Sequence, residues 1–251
     1  MALRTAGLID PAAVTSPGAA DLAATPDPDG SALLRAAGIR KSFRRGMWPR
    51  RTTVSVLGGA DLSLRPGEVV GLVGENGSGK STLMRVLVGE LAPDGGTVEH
   101  VGRLGYCPQT PQLYNRLTCD EHVRLFAAAY GLPDAVAAEA RTALYAQLGY
   151  ARYADTRVEQ LSGGTVAKLN LTLALLADPD VLLLDEPSAA FDFDTYQRFW
   201  ELVAERRARG RSVLIISHFV VDEHRFDRIL DLTDGVLVER VGRTGSISGG
   251  G

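Results

Sequence analysis

The residues GENGSGKS, at positions 74–81, constrain this chain more than any other stretch. They fit G-x-x-x-x-G-K-[ST] at every position. Before them, GEVVGLVG reads as a buried strand; after them, GKSTLMRVLVGEL reads as a helix stopped by Pro93. A strand, a glycine-rich loop and a helix in that order form an oxyanion cradle. Gly74, Gly77 and Gly79 let the loop wrap tightly and aim backbone N–H groups inward, with Glu75, Asn76 and Ser78 carrying the turn between them. Lys80 adds a point charge for β- and γ-phosphates, the Ser81 hydroxyl is a ligand for Mg²⁺, and Thr82 opens the helix.

Such a loop needs a second carboxylate for the metal and a group to orient water. VLLLDEP supplies both, because Asp185 ends a run of apolar residues and Glu186 follows it. Neighbouring strand residues point to opposite faces, so the two acids take different jobs: Asp185 in the metal shell, Glu186 as general base.

A third stretch, VEQLSGGTVAKLNLTLALL, places Ser162, Gly163 and Gly164 ahead of apolar residues at helical spacing, Val166, Leu169, Leu173 and Leu176. Ser162 is a good N-cap, and the glycines leave the first backbone N–H groups uncovered, which suits an anion. No nucleophile or metal-ligand cluster lies beside it in sequence.

The remaining pattern is α/β. SVLIISH is another apolar strand, RILDLTDGVLVER a hairpin turning at Asp234-Gly235, and a helix runs from about Asp194 to Arg209, closed by Gly210. From Thr118 to about Ala177 the pattern is helical. TCDE opens it as a capping box, Pro133 restarts it and Ser162 starts its third helix. The expected fold is a P-loop α/β core with an inserted helical subdomain at about 115–178 and an antiparallel β-rich N-terminal part. Residues 1–30, rich in Ala, Pro, Asp and Gly, read as a disordered leader, 31–243 as the folded domain, and 244–251 as a flexible tail.

The bulk properties exclude several classes. A net charge of −3 argues against a nucleic-acid binder working by bulk charge. No run of 18 apolar residues and no secretory signal is present. Cys107 and Cys119 lack CxxC spacing, and read as buried or free thiols in a reducing cytoplasm, with a disulfide or metal role as the minority reading.

Together these motifs resemble the ATP-binding subunit of ABC transporters, over about 34–241. Phe43, in RKSFRRG, matches an aromatic that stacks on adenine. Gln109, in YCPQ, matches a glutamine that contacts metal and water and senses the membrane partner. LSGGT is similar to the signature, Asp192 in SAAFD to the D-loop aspartate, and His218 in IISH to the histidine near the γ-phosphate. The resemblance implies ATP and Mg²⁺ as cofactors, with Ser81, Gln109 and Asp185 around the metal and Glu186, His218, Gln109 and Lys80 in catalysis. It also implies a head-to-tail dimer in which Ser162, Gly163 and Gly164 close over ATP held by a second ATP-binding subunit, most simply a second copy. Separate transmembrane permease subunits, a cytoplasmic place peripheral to the inner face of the membrane, and export rather than import follow as expectations. No nucleic-acid partner is expected. The competing reading is a soluble ABC-type ATPase acting on nucleic acid or the ribosome; one cassette, with no heptad run between Lys80 and Asp185, weighs against it. A non-hydrolysing regulator is the third reading, and the presence of Glu186, His218 and Gln109 argues against that.

The chain departs from the family pattern at Thr165, where a glutamine is usual, and at VAKLNL, which leaves Lys168 as the only cation of a normally Arg-rich stretch. Phe191 is bulkier than the usual residue before the D-loop aspartate. The basic stretch from Arg40 to Arg51, with Trp48 inside it, reads as a solvated hairpin loop or as a contact for anionic headgroups. Leu113, Tyr114 and Leu117 read either as the lining of a groove for a permease helix or as internal packing.

Overall fold

The computed structural model describes residues 31–46, 52–217 and 222–240. His218, Trp48, Arg50 and Arg51 lie outside the described residues, as do the leader and the tail read from the sequence.

Two sheets organise the chain. The first is antiparallel, in the order β2-β1-β4, from β1 (Leu34–Arg45), β2 (Thr52–Leu64) and β4 (Gly95–His100). The second has six strands in the order β5-β6-β7-β3-β8-β9. Its parallel members are β3 (Val69–Val73), β5 (Leu104–Cys107), β6 (Val181–Asp185), β7 (Ser212–Ile216) and β8 (Arg228–Thr233), and β9 (Val236–Glu239) closes one edge antiparallel. The three central strands β3, β6 and β7 are buried at every residue, which is why they read as unbroken apolar runs rather than as alternating ones.

The helices are α1 (Lys80–Leu87), α2 (Cys119–Ala129), α3 (Asp134–Leu148), α4 (Gly163–Leu175) and α5 (Phe193–Ala208). The long helix read from Lys80 towards Pro93 stops at Leu87, with Gly89 at φ 73° just beyond. The Thr118/Glu121 capping box is formed on both sides, at 3.2 and 2.8 Å. Asp234 and Gly235 both take positive φ, 52° and 77°, as a two-residue hairpin turn with the right twist requires.

The six-stranded sheet separates two cores. On one side its residues pack with α1 and the antiparallel sheet, through Leu72, Leu83, Met84, Leu183 and Leu214. On the other they pack with α2 to α5, through Leu169, Leu173, Leu182, Phe199 and Ile215. Helix α4 is buried almost all round from Leu169 onward, so its stripe of four apolar positions understates how apolar its surroundings are. Leu113 packs against this second core, whereas Tyr114 is exposed.

Candidate functional site

The loop between β3 and α1 is built by glycines in conformations other residues resist. Gly74, Gly77 and Gly79 have φ of 153°, 84° and 108°. A Cβ on Gly79 would stand 2.9 Å from Val56 Cγ1, and one on Gly74 would stand 2.7 Å from the Leu232 carbonyl. Gly79 caps α1 without a side chain, and no acid lies in the first turn. The leading N–H groups of α1 therefore keep their capacity for an anion. Lys80 is 6% exposed, and its ammonium donates to the carbonyls of Gly74 and Glu75 at 2.6 and 2.9 Å. An ammonium has three donors, so one remains for a phosphate oxygen.

An open cleft of about 460 Å³ lies over this loop. It is lined by Asn76, Gly77, Gly79, Lys80, Ser81 and Thr82, by Phe43 and Val56 from the antiparallel sheet, and by Gln109 and Glu186. Gln109 follows β5 and Glu186 follows β6, so the loop, the amide and the acid all stand at carboxyl ends of parallel strands, where open α/β sheets bind ligands. Phe43 is 37% exposed, with the Lys41 ammonium 5.9 Å from its ring centre. Val56 carried no signal in the sequence, being an ordinary strand residue.

The two residues expected to orient water touch. Gln109 Nε2 donates to Glu186 Oε2 at 3.0 Å, which leaves the Gln109 amide oxygen as an acceptor. Glu186 holds φ of 50°, a conformation uncommon for a side-chain-bearing residue and frequent at functional sites. Its N–H is bonded to the Ile216 carbonyl of β7 at 3.0 Å, which fixes the backbone beneath the side chain. Asp185, one residue earlier, is buried at 3% exposure and does not line the cleft itself. Its charge is felt by its neighbours. Burial first, and Asp185 second, push the Cys107 thiol up to about 12 and raise the Tyr106 hydroxyl well above its ordinary range. Cys107 is thus an inert thiol, in keeping with its reading from the sequence. A hydroxyl, an amide oxygen and a carboxylate are hard oxygen donors, so Ser81, Gln109 and Asp185 suit Mg²⁺ in chemistry.

Ser162, Gly163 and Gly164 do not line this cleft. They begin α4, where the Ser162 hydroxyl accepts the Thr165 N–H at 3.3 Å and lies 3.0 Å from the Thr165 hydroxyl. Thr165 is 6% exposed, so in place of a long amide the chain has a short side chain folded back on its own cap. A Cβ on Gly163 would meet nothing within 4 Å, so this turn is open to an approaching ligand, whereas one on Gly164 would stand 3.0 Å from the Ala190 carbonyl. Asp192 caps α5 by accepting the Thr195 N–H at 2.8 Å. The two hydrogen bonds from Thr195 lower its carboxyl pKa, aided by Lys168.

The sequence matches the family described as ABC transporter over residues 57–189, more than half of the chain. This chain belongs to the ABC transporter family. It is 36% identical to the Nod factor export ATP-binding protein I of Paraburkholderia xenovorans, over 68% of this chain and 60% of that protein. It is 32% identical to the human ATP-binding cassette sub-family A member 9, over 84% of this chain and 14% of that protein. The chain thus spans about three fifths of the Nod factor relative and a small part of the human one. Among solved structures, an ATP-binding subunit of an ABC transporter superposes with a TM-score of 0.74 at 27% identity, covering 83% of this chain and 90% of that one. A dimeric ATP-binding cassette in a post-hydrolysis state with ADP and Pi superposes with a TM-score of 0.73 at 23% identity, over 82% and 97%. The fold is that of an ABC cassette, α/β with a P-loop and with helices α2 to α4 inserted between β5 and β6. Among the described residues, no helix is long and apolar enough to cross a membrane.

Proposed function

We propose that this chain binds and hydrolyses ATP to drive transport through separate membrane-spanning subunits. The observation that carries the reading is the contact between Gln109 and Glu186 in the cleft over the P-loop. In this reading Phe43 and Val56 face the adenine, and the α1 N-terminus and Lys80 hold the β- and γ-phosphates. Glu186 accepts a proton from the attacking water while Gln109 holds the carboxylate in place. Mg²⁺, held by Ser81, Gln109 and Asp185, would neutralise phosphate charge. His218 is expected beside the γ-phosphate.

The exposed Ser162–Gly163 turn lies away from this cleft, which supports a head-to-tail dimer in which each copy's turn covers the other's ATP. That a similar cassette is dimeric supports the assembly of two copies. Export is favoured by the names of the Nod factor relatives, and a peripheral place on the inner face of the membrane follows from partnership with a permease.

The test is ATP turnover and assembly state for the wild type and Glu186→Gln. The variant is expected to lose turnover by about a thousandfold or more while still binding ATP, and to run as a dimer with ATP and a monomer without it. A Glu186→Gln variant that turns over ATP at the wild-type rate refutes the catalytic assignment; a strict monomer with ATP at high concentration refutes the dimer. Co-purification from detergent-solubilised membranes is expected to bring a multi-spanning protein. Recovery with ribosomes instead would overturn the transport reading.

A further inference from the structure

Helix α4 runs through the apolar core, yet it carries an asparagine there. Asn170 is 8% exposed, between Leu169 and Leu171, both 0% exposed. Asparagine is a poor residue for a helix interior, and a buried amide is costly unless it is bonded. Both of its amide hydrogens are engaged, and both point to one place. Nδ2 donates to the Pro108 carbonyl at 2.8 Å and to the Cys107 sulfur at 3.1 Å. Strand β5 ends at Cys107, so the Pro108 carbonyl has left the ladder of the sheet and takes its hydrogen from α4 instead.

The next residue is Gln109, whose side chain holds Glu186. The Pro108 carbonyl and the Gln109 N and Cα belong to one planar peptide unit. Anchoring that oxygen fixes the plane, and with it the starting point of the Gln109 side chain. The proline ring fixes the torsion before it. The approach of α4 that makes this contact possible depends on Gly105 in β5, because a Cβ there would stand 2.4 Å from the Ala174 carbonyl one turn further along α4. From Ser162 to Asn170 the helix is a continuous rod of about 12 Å. Asn170 therefore joins the rod that begins at the exposed Ser162 turn to the peptide that aims Gln109.

We propose that Asn170 is a positioning residue that holds Gln109 against Glu186 from α4. This rests on the reading that Gln109 and Glu186 act on ATP. In Asn170→Leu, which keeps bulk and removes both donors, kcat for ATP is expected to fall about tenfold. KM is expected to stay within about twofold, because the P-loop does not touch the residue. The deciding measurement is the double variant. If Asn170 acts through Gln109, then Asn170→Leu adds nothing in a Gln109→Ala background. A purely structural role would lower melting temperature and add its loss in both backgrounds, and that outcome overturns the proposal, as does an unchanged kcat in a folded Asn170→Leu protein. Asn170→Ala serves if the leucine variant fails to fold. A wild-type protein without ATP turnover would refute the functional reading instead. Amide exchange at Gln109 and Thr110 would then decide the anchoring: faster exchange in Asn170→Leu supports it, and equal exchange overturns it.

Discussion

At the scale of single residues, the sequence pointed to the cleft but not to what holds its parts in place. Lys80, Ser81, Gln109 and Glu186 line one cleft, as their motifs implied. Asn170 and His122 carried no motif, because their roles depend on partners that only folding brings near. His122 is fully buried, and its tautomer is dictated by its neighbours. The Thr118 carbonyl, 2.9 Å from Nδ1, only accepts, so Nδ1 carries the hydrogen. The Tyr114 N–H, 2.9 Å from Nε2, only donates, so Nε2 must be bare. Burial lowers the imidazole pKa below its ordinary 6.5, opposed by the Thr118 bond and Glu121. The folded protein thus binds fewer protons at this site than the unfolded chain as pH drops below 6.5. Stability from the neutral ring is present above that pH and is lost below it. The melting temperature is expected to fall between about pH 6.5 and 5, and to fall less steeply in His122→Gln. Parallel curves for the two proteins would exclude His122 as the source.

At the scale of elements, legibility followed burial and local chemistry. The apolar strands β3, β6 and β7 were plain in the sequence because nothing but a doubly covered sheet accommodates such runs. The capped starts of α2 and α4 were plain because a cap is a contact between residues three apart. Strand β2 was not. Its Gly58-Gly59 pair looks like a turn, yet the strand continues through it, with a register shift against β1 at Gly59, whose φ is 121°. One reason the strand continues is the β8–β9 turn packed on it: Gly58 N–H donates to the Gly235 carbonyl at 2.8 Å, and a Cβ on Gly235 would stand 2.7 Å from Gly58 N. That reason lies far away in sequence and leaves no local trace. Asp192 is the opposite case, since its match to a family motif hid a plain local duty as the cap of α5. The cap of α2 allows a direct test. Thr118 accepts the Glu121 N–H at 3.2 Å, and Glu121 answers with a bond to the Thr118 N–H at 2.8 Å. Thr118→Ala is expected to cost about 1 kcal/mol in urea unfolding. A change below about 0.3 kcal/mol would mean the box contributes nothing beyond what water replaces.

At the scale of the whole molecule, the cleft is where residues from both sheets come together. Phe43 and Val56 come from the antiparallel sheet, the P-loop from β3, Gln109 from the end of β5 and Glu186 from the end of β6. These strands contribute to the two separate cores. A ligand that spans them binds the folded chain and has nothing comparable to bind in the unfolded one, so its binding free energy adds to stability. At about a hundred times its dissociation constant, Mg-ATP is expected to add about 2.7 kcal/mol. For a chain of this length that is a rise of roughly 5–10 °C in melting temperature. Glu186→Gln is expected to keep the rise, since its charge change leaves the cradle whole. Lys80→Ala is expected to lose most of it, because the ammonium held by the Gly74 and Glu75 carbonyls is the one fixed cation among the described residues of the cleft lining. Scanning fluorimetry with and without nucleotide reads both variants at once. A rise in Lys80→Ala equal to that of the wild type would place the nucleotide elsewhere on the molecule. A rise lost from Lys80→Ala and kept in Glu186→Gln would separate the loop that binds from the acid that reacts.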